Sequence, residues 1–217
     1  MRPEKLLFFV EKLLDSNFGK QNSHIIDPNL SFTVYSKLNH CFKNISRKYY
    51  RNNLKNFDLL NSDHLCICLY LFSNELFKIK KYELAKKFFL LNKMINGIDL
   101  FYKVNMPRIF MFCHPQSSVI GNGKFSDYCI FFQNVTIGRK GKNYPKFSQA
   151  VIFYPGSKII GNCKIGKNVI FGPDSSIVDT DIPSNTLVLG KFPNIVLKKN
   201  NYDIKNQFFK STTKIKI

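Results

Sequence analysis

Two hydrophobic periods divide the chain. From Met1 to about Met106, apolar residues recur at helical spacing. PEKLLFFVEKLL begins with Pro3 near a helix start, where a missing N–H costs nothing. SDHLCICLYLFSNELFKIK follows a Ser62/Asp63 cap signal, and YELAKKFFLLNKMING stops at Gly97, a helix terminator. Ser31–Tyr50 reads as a further helix. The phenylalanines and leucines of this half belong to a core.

After NMPRIFMFCHP the period changes to six. Apolar residues stand at Val119, Phe125, Phe131 and Ile137, then at Phe147, Phe153, Ile159, Ile165, Phe171 and Ile177. Small or slim residues stand two positions earlier, at Ser117, Gly123, Cys129 and Val135, and at Ser157, Cys163, Val169 and Ser175. Neither an amphipathic helix nor an exposed strand has this period. A hexapeptide repeat predicts a parallel β-helix, in which short strands form the faces of a triangular prism and stacked coils bury one apolar column. The two counts are out of step by four between Ile137 and Phe147. GRKGKNYPK (138–146) is therefore an excursion, rich in turn and basic residues that a dry prism face would not hold. A loop at one fixed place on a solenoid is where function tends to sit.

The expected fold class is α+β: a helical domain over 1–106, a β-helix over 107–197 with the loop at 138–146, and a basic tail over 198–217. The helical half is expected to cover one open end of the β-helix. The tail is polar with little periodicity, and is expected to be poorly ordered or a late lid.

Composition narrows the function classes. The chain has 217 residues, 44% of them hydrophobic, enough for one sizeable domain or two modest ones. No apolar stretch reaches the roughly 18–20 residues of a membrane span. Glu11 and Lys12 interrupt the apolar opening, which argues against a signal peptide and makes the cytoplasm the expected compartment. Six cysteines in a chain this long do not form a disulfide framework, and Cys66-x-Cys68 lacks the spacing of a zinc or redox site, so no metal is expected. The formal charge of +19 invites a nucleic-acid reading. The lysines are spread along the chain, however, with no basic helix, RNA-binding aromatic signature or zinc finger, so nucleic acid is not the expected partner. A basic surface equally suits a small polyanion.

The repeat region with its flanks resembles the hexapeptide-repeat acyltransferases, and among them the serine O-acetyltransferase family. The resemblance runs from about Leu65 to Lys199. It rests on the helical segment before NMP, then HPQSSVIGNG, QNVTIG, a loop ending YPKF, and YPGSKIIGNCKIGKNVIFGPDSSIVDTDIPSNTLVLGKFPN. It implies a left-handed β-helix, a homotrimer or dimer of trimers, and sites in clefts between neighbouring prisms. It further implies that acetyl-CoA donates its acetyl group to the hydroxyl of L-serine, a step in cysteine biosynthesis, with a histidine as general base and no metal. A sugar hydroxyl of a surface polysaccharide is an alternative acceptor, and an inactive trimeric scaffold an alternative of another class.

The family carries an Asp-His pair in an early coil and an Arg-His-Pro-Lys run at the end of the loop. This chain has SDYCIF and KNYPKF there, so Tyr128 and Tyr144 stand about where those histidines would be and are candidates for the acceptor end. Tyrosine, with an ordinary pKa near 10, is a poor base at neutral pH. His114 is the sole histidine of the repeat region and the candidate base; a cap on the first coil is its other reading. Asp127 is a candidate to orient a base or hold an acceptor amine. For the cofactor, the candidates are Gly138, where the loop leaves the coil, Lys140 and Lys142 on the loop, Gly156 and Gly172 at close turns, and Lys191 in GKFPN.

Overall fold

In the computed structural model, which describes residues 2–20, 26–46 and 57–209, four helices precede the repeats. α1 (Pro3–Phe18) starts on its proline and buries Leu6, Val10 and Leu14, spaced one turn apart. α2 (Pro28–Lys43) is capped by Asp27, whose carboxylate accepts from the Asn29 N–H at 2.8 Å. The helix expected from Ser31 thus begins earlier, and the end of that expected segment, from 47, lies outside the described residues. α3 (Ser62–Lys78) is capped by Asn61 rather than by Ser62 or Asp63, because the Asn61 side chain accepts from the N–H groups of Asp63 and His64. Residues Leu65 through Phe72 are all buried, so α3 forms the centre of the helical layer. α4 (Tyr82–Asn96) packs on it, stacking Phe88 on Phe72 at 5.0 Å, and ends where Gly97 adopts the left-handed conformation.

The repeats wind as a three-sided prism. On its first face β2 (Phe110–Phe112), β4 (Cys129–Phe131), β7 (Val151–Phe153) and β10 (Val169–Phe171) pair in parallel. The second face stacks β1 (Asp99–Leu100), β3 (Val119–Ile120), β5 (Thr136–Gly138), β8 (Lys158–Ile160) and β11 (Ser176–Val178). The third pairs β6 (Lys146–Phe147) with β9 (Lys164–Ile165), prolonged by bridges from Lys124 to Lys146 and from Ile165 to Ile182. β12 (Thr186–Lys191) turns the last corner and pairs with both β10 and β11.

Register places one inward side chain above the next. Phe131 stacks on Phe153 at 4.7 Å and Phe153 on Phe171 at 5.6 Å, while Phe125 stacks on Phe147 at 5.1 Å and Phe147 meets Phe153 edge-on. Cys129 and Cys163 fill small inward positions and are fully buried. Phe153 to Phe171 is one coil of 18 residues (171 − 153), whereas Phe131 to Phe153 takes 22 (153 − 131). The four extra residues fall within the 138–146 excursion, which leaves the stack in register above and below.

The repeat count fails in the first coil. Val119 is 47% exposed, and Ile120 is the buried residue that stacks on Ile137. Ser118 rather than Ser117 takes the small position, its hydroxyl donating to the Phe132 carbonyl and accepting from the Val135 N–H. Ile120 to Phe125 is five residues (125 − 120) rather than six, so counting back in sixes overshoots by one. The column also starts before 107, because β1 already pairs beneath β3. Residues 101–106 are pinned to α3: Tyr70 Oη donates to the Val104 carbonyl and accepts from the Met106 N–H, and Asn74 Nδ2 donates to the Tyr102 carbonyl.

The tail is packed as far as the structure describes it. β13 (Asn194–Lys199) returns antiparallel along β12 and covers the last strand edge. Asn200 then bonds the Asn185 and Asn168 backbones, and α5 (Ile204–Phe208) buries Ile204 and Phe208. Phe209 bridges to Ile45 of the helical region, and the Ser46 N–H donates to the Phe208 carbonyl. The segment from 200 to 209 is therefore a strap joining the last coil to the helical layer, not a loose tail.

Two outcomes follow for stability. Phe153→Ala removes the middle ring of the stack and should cost about 3–5 kcal/mol in denaturant unfolding, more than a substitution of exposed Phe192. Burial pushes the His64 imidazole down from 6.5 to about 4, against the pull of Asp58, and its Nδ1 accepts the Asp58 N–H at 2.9 Å. The fold therefore holds neutral His64, and this stability is full above pH 6.5 and lost as pH falls towards 4. Thermal melts should show a loss of up to ~2–3 kcal/mol across that window, flattened in a His64→Gln variant.

Candidate active site

The prism distributes the sequence candidates over its three corners. Between the first and second faces lie His114, Gly156 and Gly172, with Lys191 where β12 meets β11. Between the second and third lie Gly138, Lys140, Lys142 and Tyr144. Between the third and first lie Asp127 and Tyr128. Within one chain no corner holds a base, an acceptor group and a phosphate-binding charge together.

At the first corner, His114 is exposed and sits in a turn with φ 53°, its N–H donating to Asp63 Oδ1 at 3.0 Å. Asp63, on the first turn of α3, thus fixes the His114 backbone and leaves the imidazole in solvent. Burial holds the Asp63 carboxyl above the usual range, despite its bond from His114. The sequence marked Asp63 only as a cap signal and not as a partner of His114, which is 51 residues away. Gly156 has φ 75° and a Cβ there would collide with the Asp174 carboxylate. At Gly172 a Cβ would come within 2.6 Å of Leu189. The packing of the next coil thus accounts for both glycines.

At the second corner, the excursion closes as a small hairpin in which Lys140 and Asn143 exchange N–H···O=C bonds. Lys140 Nζ meets Asp179 Oδ2 at 2.7 Å, and Asp179 Oδ1 accepts the Asn162 N–H. These bonds hold the Asp179 carboxyl below its ordinary value. In this structure Lys140 therefore anchors the loop to the next coil. Lys142 is exposed at the tip. Tyr144 is half-buried against Gly121, where a Cβ would lie 3.3 Å from its ring. At Gly138 the Ile160 Cδ1 methyl of the next coil lies 2.6 Å from where a Cβ would stand and would have to turn aside.

At the third corner, Asp127 Oδ1 accepts from the N–H groups of Arg108 and Ile109, with the Arg108 guanidinium at 3.8 Å. This staples the start of β2 to the coil above. Asp127 lies before β4 and His114 after β2, at opposite ends of one strand pair, so within one chain Asp127 does not reach His114. Tyr128 lies beneath the strap: the Phe209 ring is 5.2 Å away and Lys205 Nζ stands 4.9 Å over its face. Tyr128 is thus half-buried, its ring packed against the strap rather than standing free in a cleft.

Below the loop exit the third face is a groove of about 600 Å³, lined by Lys124, Lys146 and Lys164 over the Phe125, Phe147 and Ile165 floor, with Asp181 at one end. The thiols offer no nucleophile. Burial pushes Cys41 up to about 12 and Cys113 up to about 11, and raises Cys66, Cys68, Cys129 and Cys163 as well. Among the described residues no group of three His, Cys, Asp or Glu side chains is placed to hold a metal, and no helix is long and apolar enough to cross a membrane.

A solenoid of hexapeptide coils with one loop at a corner, capped by helices, is the left-handed β-helix of the hexapeptide-repeat acyltransferases. The serine acetyltransferase of Neisseria gonorrhoeae superposes with a TM-score of 0.74, covering 91% of this chain and 79% of that one at 18% identity. A Brucella abortus serine acetyltransferase solved in complex with coenzyme A gives 0.71 over 92% and 83%, at 16% identity. In sequence, the serine acetyltransferase of Staphylococcus epidermidis is 30% identical over 144 residues, 64% of this chain and 67% of the relative. That of Staphylococcus xylosus is 29% identical over 144 residues, covering 66% of its length. No protein-family model matches the chain. The chain belongs to the serine acetyltransferase family, and the matched segment spans about two-thirds of these curated relatives.

Loosening the loop tests its anchor. Asp179→Asn should release Lys140 and expose the 138–146 backbone, read as faster amide exchange at Asn143 and proteolysis within the loop, with global unfolding changed by less than about 1 kcal/mol.

Proposed function

We propose that this chain is a cytoplasmic enzyme that transfers the acetyl group of acetyl-CoA to the hydroxyl of L-serine. The family match carries this reading. It is supported by the solved relative in complex with coenzyme A and by a groove that runs on from the loop exit. The serine hydroxyl oxygen attacks the thioester carbonyl while a base takes its proton; backbone N–H groups steady the oxyanion; the C–S bond then breaks and the coenzyme A thiolate leaves, taking up the proton.

His114 is the base in this proposal, as the one imidazole on the prism, exposed and with a fixed backbone. Its corner lies across the second face from the loop. The site is therefore completed between copies, the His114 corner of one prism facing the loop of the next in a homotrimer, or in paired trimers. Tyr144 stands in place of the family's loop histidine, half-buried against Gly121, so the hydroxyl of a sugar is the second acceptor class to test.

Thiol release from acetyl-CoA should depend on L-serine, and His114→Ala should lower kcat at least 100-fold with the KM for acetyl-CoA little changed. Release with a nucleotide sugar but not with serine would move the assignment to the second acceptor. No release with any hydroxyl acceptor, together with a melting temperature that acetyl-CoA does not raise, would leave only a non-catalytic scaffold.

A further inference from the structure

Three lysines of the third face share one register column. Lys124 bridges to Lys146 and Lys146 pairs with Lys164, each standing directly before an inward residue, Phe125, Phe147 or Ile165. Paired strands lie about 4.8 Å apart, so three ammonium groups spring from roughly 10 Å of sheet. All three side chains are exposed, and none forms an ion pair among the described residues. Asp181 is the one carboxylate lining the groove; its Oδ1 accepts the Lys164 N–H at 2.7 Å and marks the upper end of the column.

Like charges directly opposite on neighbouring strands oppose the pairing that holds them there. The outer column of the second face avoids this, setting Lys158 between Thr136 and Ser176. On the third face the repulsion is kept through three coils and directed into a groove.

We propose that Lys124, Lys146 and Lys164 seat the phosphate groups of the acetyl donor's nucleotide. This rests on the acetyl-CoA reading above and adds to it the residues that bind the donor's charge. Coenzyme A carries three phosphoryl groups at one end, an extended polyanion that suits a row of cations better than a single one. The groove also continues from the loop, since Lys146 directly follows the Tyr144-Pro145 exit. Lys140, the loop lysine closest in chain to Gly138, is occupied by Asp179, so the unpaired charge lies on the face rather than at the anchor. Compact ammonium groups on flexible stems follow phosphates that differ in direction, which a rigid fork does not.

Calorimetric binding of coenzyme A and of pantetheine, which lacks the phosphates, to wild type and to K124Q/K146Q/K164Q tests the assignment. The triple variant should bind coenzyme A at least tenfold more weakly and lose most of the salt dependence, with its pantetheine affinity unchanged. Without ligand it should melt no lower than wild type, because the substitutions relieve repulsion. A variant that binds coenzyme A as tightly as wild type overturns the lysine column alone. Wild type that binds coenzyme A no better than pantetheine does the same, and leaves acetyl transfer standing. Wild type that binds neither overturns both readings. Unchanged coenzyme A affinity with a lost oligomeric state in sedimentation would give the lysines to a subunit contact instead.

Discussion

Parallel register is the constraint on which everything else depends. Each coil pairs its backbone with the coil below, so an inward side chain must sit on the inward side chain of its neighbour. The rings of Phe131, Phe153 and Phe171 meet this by stacking nearly parallel, with Phe125 and Phe147 doing the same on the adjoining face. Such a stack tolerates no slip, because a shift of one residue would turn outer groups such as Lys164 into the column. It does tolerate an excursion at a corner, where the chain leaves the prism and returns without disturbing register. The 138–146 loop is that case.

The same register decides where charge goes. Because outward residues are also stacked, any residue type repeated at coil spacing becomes a stripe. On the first face the outer stripe is Met111, Ile130, Ile152, Ile170 and Leu187, and its middle members are buried. On the third it is lysine. The strap from Asn200 to Phe209 runs past the corner beside the apolar face and closes on Tyr128, leaving the second and third faces, with the loop corner between them, open to ligands and partners. The helical layer blocks the lower strand edges and β13 the upper one. A solenoid with both ends closed presents its sides to other molecules.

Family membership and site geometry therefore carry different parts of the argument. Membership fixes the class of reaction. The geometry shows that His114, the loop and Asp127 occupy three separate corners, that Asp127 and Lys140 make bonds to neighbouring coils, and that three unpaired lysines share one face. A second copy is the simplest way to bring an exposed imidazole to an exposed loop when a rigid prism holds them apart.

The six-residue period by itself determined the column, its inward residues from Phe125 onward and the place of the loop, because register makes burial a function of sequence position alone. Gly97 as a helix terminator was legible for a similar reason, since left-handed backbone favours glycine. Only the tertiary structure decided the rest. The first coil gained its true register from a five-residue corner; Asn61, not Ser62 or Asp63, took the cap; and Asp63 reached across 51 residues to His114. The strap over Tyr128 has no period to betray it, since Ile204, Phe208 and Phe209 are apolar residues scattered in a polar tail. Local pattern records what each coil repeats, whereas contacts made once, between distant segments, leave no repeat to read.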